Sequence, residues 1–219
     1  MALNNGTQRL NASYLLGTYL ACNAIPDAHI LVDGPDCVQF KADFICGNHD
    51  LCSTLFDSSG LHRVSYTSAY AGNIVGNRES SVARRIRDIA ARKNCGVLFF
   101  SSLPFCSMVA MDYDRVIRGV SAENATPIIR LPSDALSGDW LDGYGDVLES
   151  LARTVSLADA KPEPDKVAVV GYLMDRTEQD HLANLSELRG LLEGLGLDLV
   201  SVWLSNVPYG RLSDVKRAG

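Results

Sequence analysis

Short runs rich in Val, Ile and Leu alternate with longer stretches of helical periodicity along most of this chain, and that alternation constrains its fold more than any other feature. The runs fall at residues 29–33, 63–66, 96–101, 126–131, 166–171 and 197–202. Near-continuous apolarity over so few residues belongs to strands covered on both faces, as in a parallel sheet. Between them, residues 79–93 place Val82, Ile86, Ile89 and Ala90 on one helical face and arginines on the other. Residues 140–157 and 178–195 repeat the pattern, with Gly194 or Gly196 as a stop. Asp112 and Asp114 stand where acidic side chains cap a helix running to Gly119. An amphipathic helix over residues 9–23 is expected ahead of the first strand. Strands and helices in this order form right-handed βαβ units, so the expected fold is α/β: a doubly wound, Rossmann-like parallel sheet.

One boundary interrupts the pattern. Residues 159–165 read Asp-Ala-Lys-Pro-Glu-Pro-Asp, charged and twice proline, as a linker would be. The expected division is a Rossmann-like domain over 1–158, the linker, and the start of a second such domain over 166–219. That second unit holds only strand, helix and strand. It is expected to be an incomplete α/β unit with an open sheet edge, either truncated or completed by another polypeptide.

Composition narrows the partners. A net charge of −6 excludes the basic surface that non-specific nucleic-acid binding requires. No run reaches the ~20 apolar residues that span a bilayer. Residues 10–25 end in Leu20-Ala21-Cys22, a poor match to a lipoprotein cleavage site because Asn11, Ser13 and Tyr19 interrupt it. The expectation is a cytoplasmic chain with reduced thiols.

The six cysteines are too sparse for a disulfide scaffold, so their positions carry the information. Cys37 follows the first strand in Asp33-Gly34-Pro35-Asp36-Cys37, and Cys106 follows the third in Ser102-Leu103-Pro104-Phe105-Cys106. Both lie in turns at the carboxyl ends of parallel strands, the edge where open α/β sheets bind ligands. Cys22 ends the first helix and is expected to reach the same edge. Cys95, between helix and strand, reads as core. Buried packing competes with a metallocluster for the others, since the pattern lacks the paired Cys-x-x-Cys of zinc ribbons and bacterial ferredoxins. Cys46, His49 and Cys52 form the densest local set of soft ligands, open between incidental residues and an additional ligand group. His29 and His62 read as ordinary hydrogen-bonded residues beside strands, and His181 as solvent-facing. The segment Tyr70-Ala-Gly-Asn-Ile-Val-Gly76 lacks any phosphate-binding signature, so nucleotide binding by this chain is rejected.

The surroundings of three cysteines resemble the component 1 family of nitrogenase-type oxidoreductases, which includes nitrogenase molybdenum–iron subunits and dark-operative protochlorophyllide reductase subunits. They read Tyr19-Leu-Ala-Cys22, Leu31-Val-Asp-Gly-Pro-Asp-Cys37, and Phe100-Ser-Ser-Leu-Pro-Phe-Cys106 leading into Asp112-Tyr-Asp114. The segment from Ala71 to Glu79 and the later Leu188-x-x-Leu-Leu-Glu-Gly-Leu-Gly add to the resemblance. It implies a [4Fe–4S] or larger iron–sulfur cluster held by Cys22, Cys37 and Cys106 at a subunit interface. The fourth ligand would come from a homo- or hetero-oligomeric partner subunit, with Asp36 as a local substitute. An ATP-dependent iron protein would deliver electrons for relay to a substrate or second metallocentre. A non-catalytic scaffold for metallocluster assembly and a cluster-free Rossmann-like binding module remain the alternatives.

Overall fold

The computed structural model describes residues 12–46, 55–57, 59–109, 111–132, 136–174 and 180–219, without the side chains of 43–46. Each apolar run forms a strand: β1 (Ala28–Asp33), β2 (Val64–Tyr66), β3 (Val97–Ser102), β4 (Ile128–Arg130), β5 (Lys166–Val169) and β6 (Asp198–Val202). The first four make a parallel sheet in the order β2-β1-β3-β4, and β5 pairs parallel with β6. Every residue of β1 and β3 is buried, which is why those runs carry little polar alternation. The helices are α1 (Tyr14–Asn23), α2 (Cys37–Cys46), α3 (Glu79–Ala90), α4 (Pro104–Ser107), α5 (Tyr113–Ser121), α6 (Trp140–Thr154) and α7 (His181–Gly194), followed by a 3-10 helix over Tyr209–Arg217. Asp112 caps α5 by accepting from the Arg115 N–H at 2.9 Å, and Asp139 caps α6 in a reciprocal box with Asp142.

Helices cover both faces of the four-stranded sheet. Ile30, Val32, Val97 and Phe99 pack with Leu15 and Tyr19 of α1, Val38 of α2 and Val147 and Leu151 of α6. Leu31, Leu98 and Phe100 pack with Val82, Ile86 and Ile89 of α3 and Val116 and Val120 of α5. The expected amphipathic first helix departs from its reading. It begins at Tyr14, and nine of its ten residues are buried. It lies under α6, where Gly17 and Gly143 let the two backbones touch: a Cβ on Gly17 would strike the Trp140 carbonyl, and one on Gly143 the Tyr14 carbonyl.

The second sheet is not detached from the first. Trp203, Leu204 and Leu212 share one core cluster with α1, α6 and β1, and the Asn206 N–H donates to Ala24 O at 2.9 Å. The outer side of β5 is partly paired as well. Residues 216–219 run beside 161–166, with the Lys161 N–H bonded to Lys216 O, the Glu163 N–H to Arg217 O and the Gly219 N–H to Lys166 O. His181, expected at the surface, is buried, and its Nδ1 pairs with the Tyr172 hydroxyl at 2.8 Å. It opens α7 against Tyr172, where the chain returns towards the core. Cys95 is buried as expected, its thiol 3.5 Å from Val97 O. His49 and Cys52, and the side chain of Cys46, lie outside the described residues.

Candidate functional site

The strand order places the chain's reversal between β1 and β3, because β1 connects outward to β2 and β2 crosses back to β3. Crevices at such carboxyl-end reversals are where open α/β sheets bind ligands. Here β1 ends in Asp33, a fully buried carboxylate. It accepts hydrogen bonds from the Thr67 hydroxyl after β2, from the Arg78 guanidinium just ahead of α3, and from the Tyr113 hydroxyl at the start of α5, the last at 2.6 Å. The backbone completes the knot: the Leu103 N–H donates to Asp33 O at 2.9 Å and the Ala69 N–H to Gly34 O at 3.0 Å. One buried ion pair thus ties together the loops that follow β1, β2 and β3.

Cys37 and Cys106 flank this knot differently. Cys37 opens α2 with its side chain exposed. Cys106 sits on the short α4 and is 1% exposed, with Arg78 against it. Burial pushes the Cys106 thiol up to about 11, the Asp33 carboxylate adds to the rise, and Arg78 opposes it. Between the two turns the space beside Gly34 is taken by Leu103. A Cβ on Gly34 would stand 2.7 Å from Leu103 Cδ1 and 3.3 Å from Val38 Cγ2, so only glycine allows this approach.

Cys22 lies towards the other end of β1. Arg63 donates from Nη1 to Cys22 O at 3.1 Å, to Ile25 O at 2.8 Å and to Ala28 O at 3.0 Å, and Ala28 is the first residue of the strand. A six-residue strand is about 16 Å long. Burial raises the Cys22 thiol to about 12, against the opposing charge of Arg63. The Tyr19 phenol donates to Val38 O at 3.4 Å; burial and then the charges of Cys22 and Cys37 push its pKa upward. Cys37 and Cys106 therefore share the carboxyl edge and Cys22 does not join them. Among the described residues no three His, Cys, Asp or Glu side chains are grouped to hold a metal ion. As placed, the three cysteines do not fit one cluster.

The edge holds more than sequence reading found. Thr67, Arg78 and Tyr113 converge on Asp33 from positions far apart in the chain, and only an acidic residue closing an apolar strand before Gly-Pro hinted at them. Phe40, Tyr70, Val75, Phe105 and Met108, all on the segments that follow β1, β2 and β3, are exposed. Ser68, in the loop after β2, takes a left-handed backbone at φ 58°, its carbonyl held by Asn73 Nδ2 at 3.1 Å. A pocket of about 260 Å³ opens there, lined by Pro35, Asp36, Tyr66, Ser68, Ala69 and Tyr70.

No helix among the described residues is long and apolar enough to cross a membrane. No curated protein sequence matches the chain. Its fold is similar to that of a nitrogenase Cp1 at pH 6.5, with a TM-score of 0.72 at 13% identity over 100% of this chain and 42% of the other. A nitrogenase Cp1 at pH 5 gives 0.66 at 13% identity over 98% and 44%. The chain thus spans less than half the length of the nitrogenase chains it resembles. The family model for nitrogenase component 1 type oxidoreductases matches residues 13–219. Nearly the whole sequence is covered by that match, and the chain belongs to the nitrogenase component 1 type oxidoreductase family.

Proposed function

We propose that the chain is a subunit of a nitrogenase-like oxidoreductase, completed at the carboxyl edge of its four-stranded sheet by a homo- or hetero-oligomeric partner and supplied with electrons by an ATP-driven iron protein. The observation that carries this reading is the apolar rim of that edge. Phe40, Tyr70, Val75 and Met108 are between 61% and 86% exposed, on segments that the Asp33 knot holds in one arrangement. Large apolar side chains displayed together mark a surface that something covers. Family membership supports the reaction class, and members of this family generally bind iron–sulfur clusters. Such a cluster supplies one-electron chemistry, and among the described residues Cys37 is the exposed thiol at the rim.

The chain's own residues set the stage for that partner. Asp33 neutralises Arg78 inside the edge, Tyr113 and Thr67 take up the remaining carboxylate lone pairs, and the loops carrying Cys37, Tyr70 and Phe105 are held before any partner arrives. The substrate is expected to be an unsaturated or otherwise inert acceptor. Anaerobic isolation of the tagged chain from its source cells tests the proposal. The expected result is a second subunit, iron with acid-labile sulfide, and an EPR signal that develops with an iron protein and ATP. A complex free of iron, or one whose reduction is indifferent to ATP, overturns it.

A further inference from the structure

We infer that Cys22 and Cys106 belong to the frame of this chain and are not cluster ligands, so that among the described residues Cys37 is the one thiol left for a cluster at the edge. The inference narrows the proposed function and rests on it only for the presence of a cluster. Three placements carry it.

Cys22 is 1% exposed within the core that includes Tyr19, Leu20 and Ile25, and its own carbonyl is fixed by Arg63 at the amino end of β1. The Tyr19 ring packs in the same core at 0% exposure and bonds Val38 O, so the surroundings of Cys22 are filled by protein. Cys106 is also 1% exposed, and its neighbour Arg78 is committed to Asp33 and Thr67. A cluster-bound thiolate there would compete with a buried carboxylate for one guanidinium, in a site whose charges already balance. Leu103 then fills the space beside Gly34, packing the turn that carries Cys106 against the turn that carries Cys37.

Two measurements on the full chain decide the assignment. In the first, the full chain produced alone, without partner or iron, is alkylated with iodoacetamide and mapped by peptide mass. Cys22 and Cys106 should react as slowly as the core thiol Cys95, about tenfold or more below Cys37, because a buried thiol is modified only after local opening. Reaction of either at the rate of Cys37 overturns the inference. In the second, Cys22→Ala and Cys106→Ala are carried into the anaerobically isolated complex, with Cys22→Ser and Cys106→Ser as alternatives should an alanine variant not fold. Iron per complex should match the wild type while the unfolding temperature drops. Loss of iron with an unchanged unfolding temperature would show that the residue ligates after all. Should the wild-type complex hold no iron, the proposed function falls, and the alkylation pattern still decides the place of these two cysteines.

Discussion

Charged groups inside this chain differ in how fully they are compensated, and the difference is measurable. Arg63 spreads one guanidinium over the carbonyls of Cys22, Ile25 and Ala28 and the Asn23 side chain, satisfying acceptors that the end of α1 leaves open. His29, on β1 nearby, has no comparable compensation. Its ring is wholly buried, and burial, then the charges of Arg92 and Arg63, lower its pKa from 6.5 to about 4. Between those values the unfolded chain binds a proton that the folded chain refuses, so stability falls as pH falls from about 6.5 towards 4. Above that window both states are neutral and the contribution is constant. By pH 4 the loss is about 3 kcal/mol. In His29→Gln the titration is gone, so the gap in unfolding temperature between wild type and variant should narrow steadily from pH 7 to 4. A gap that stays constant across that range would refute the assignment. The sequence offered His29 only as an ordinary residue beside a strand, because nothing local says which strand lies at the centre. Asp33 escaped notice for the same reason: its partners Thr67, Arg78 and Tyr113 meet it only once β2, β3 and the helices beyond them take their places around β1.

Elements were far more legible than contacts. All six strands follow from local apolarity, most plainly β1 and β3, which are buried along their whole length. The face of α3 was equally plain, because Val82, Ile86 and Ile89 recur at helical spacing against polar neighbours. Helix α1 misled because its burial comes from a neighbour remote in sequence. Periodicity can report one covered face, and this helix has the sheet on one side and α6 on another. Gly17 and Gly143 are what make that sandwich close, so their substitution belongs to the crossing and not to either helix alone. Gly17→Ala and Gly143→Ala each force the backbones apart, and each should cost about 3 kcal/mol, at the upper end of overpacking effects. Alanine at Gly145, on the same helix with open space around it, should be neutral or slightly stabilising. Urea denaturation of the three variants checks this, and equal midpoints for Gly143→Ala and Gly145→Ala would remove the crossing as the cause.

At the scale of the whole molecule, the proline-rich segment at residues 159–165 suggested two units joined by a tether, yet the hydrophobic contacts run across it. Trp203 and Leu204, just past β6, enter the cluster that contains Ile30, Val97 and Tyr144, and Trp203 Nε1 donates to Leu212 O at 3.0 Å within it. Two polar ties reinforce the join: the Tyr209 N–H to Asp27 Oδ1 at 2.8 Å, and the Tyr144 hydroxyl to Tyr172 O at 3.1 Å. Neither sheet can lose its side of this core without exposing the other's apolar residues, so the two should unfold together. The chain holds two tryptophans, Trp140 on α6 and Trp203 after β6, which makes the coupling simple to read. In Trp140→Phe the remaining fluorescence reports Trp203 alone, while far-UV circular dichroism reports every helix. Coincident urea midpoints and slopes from the two signals are expected. A Trp203 transition that precedes the loss of helical signal would mean that the β5–β6 unit melts first and that the shared core is too weak to couple the sheets. The carboxyl edge of β1 and β3 would then depend on the first sheet alone. If the transitions coincide, a substitution in the Trp203–Leu212 contact should lower the stability of the Asp33 knot as much as one placed beside it.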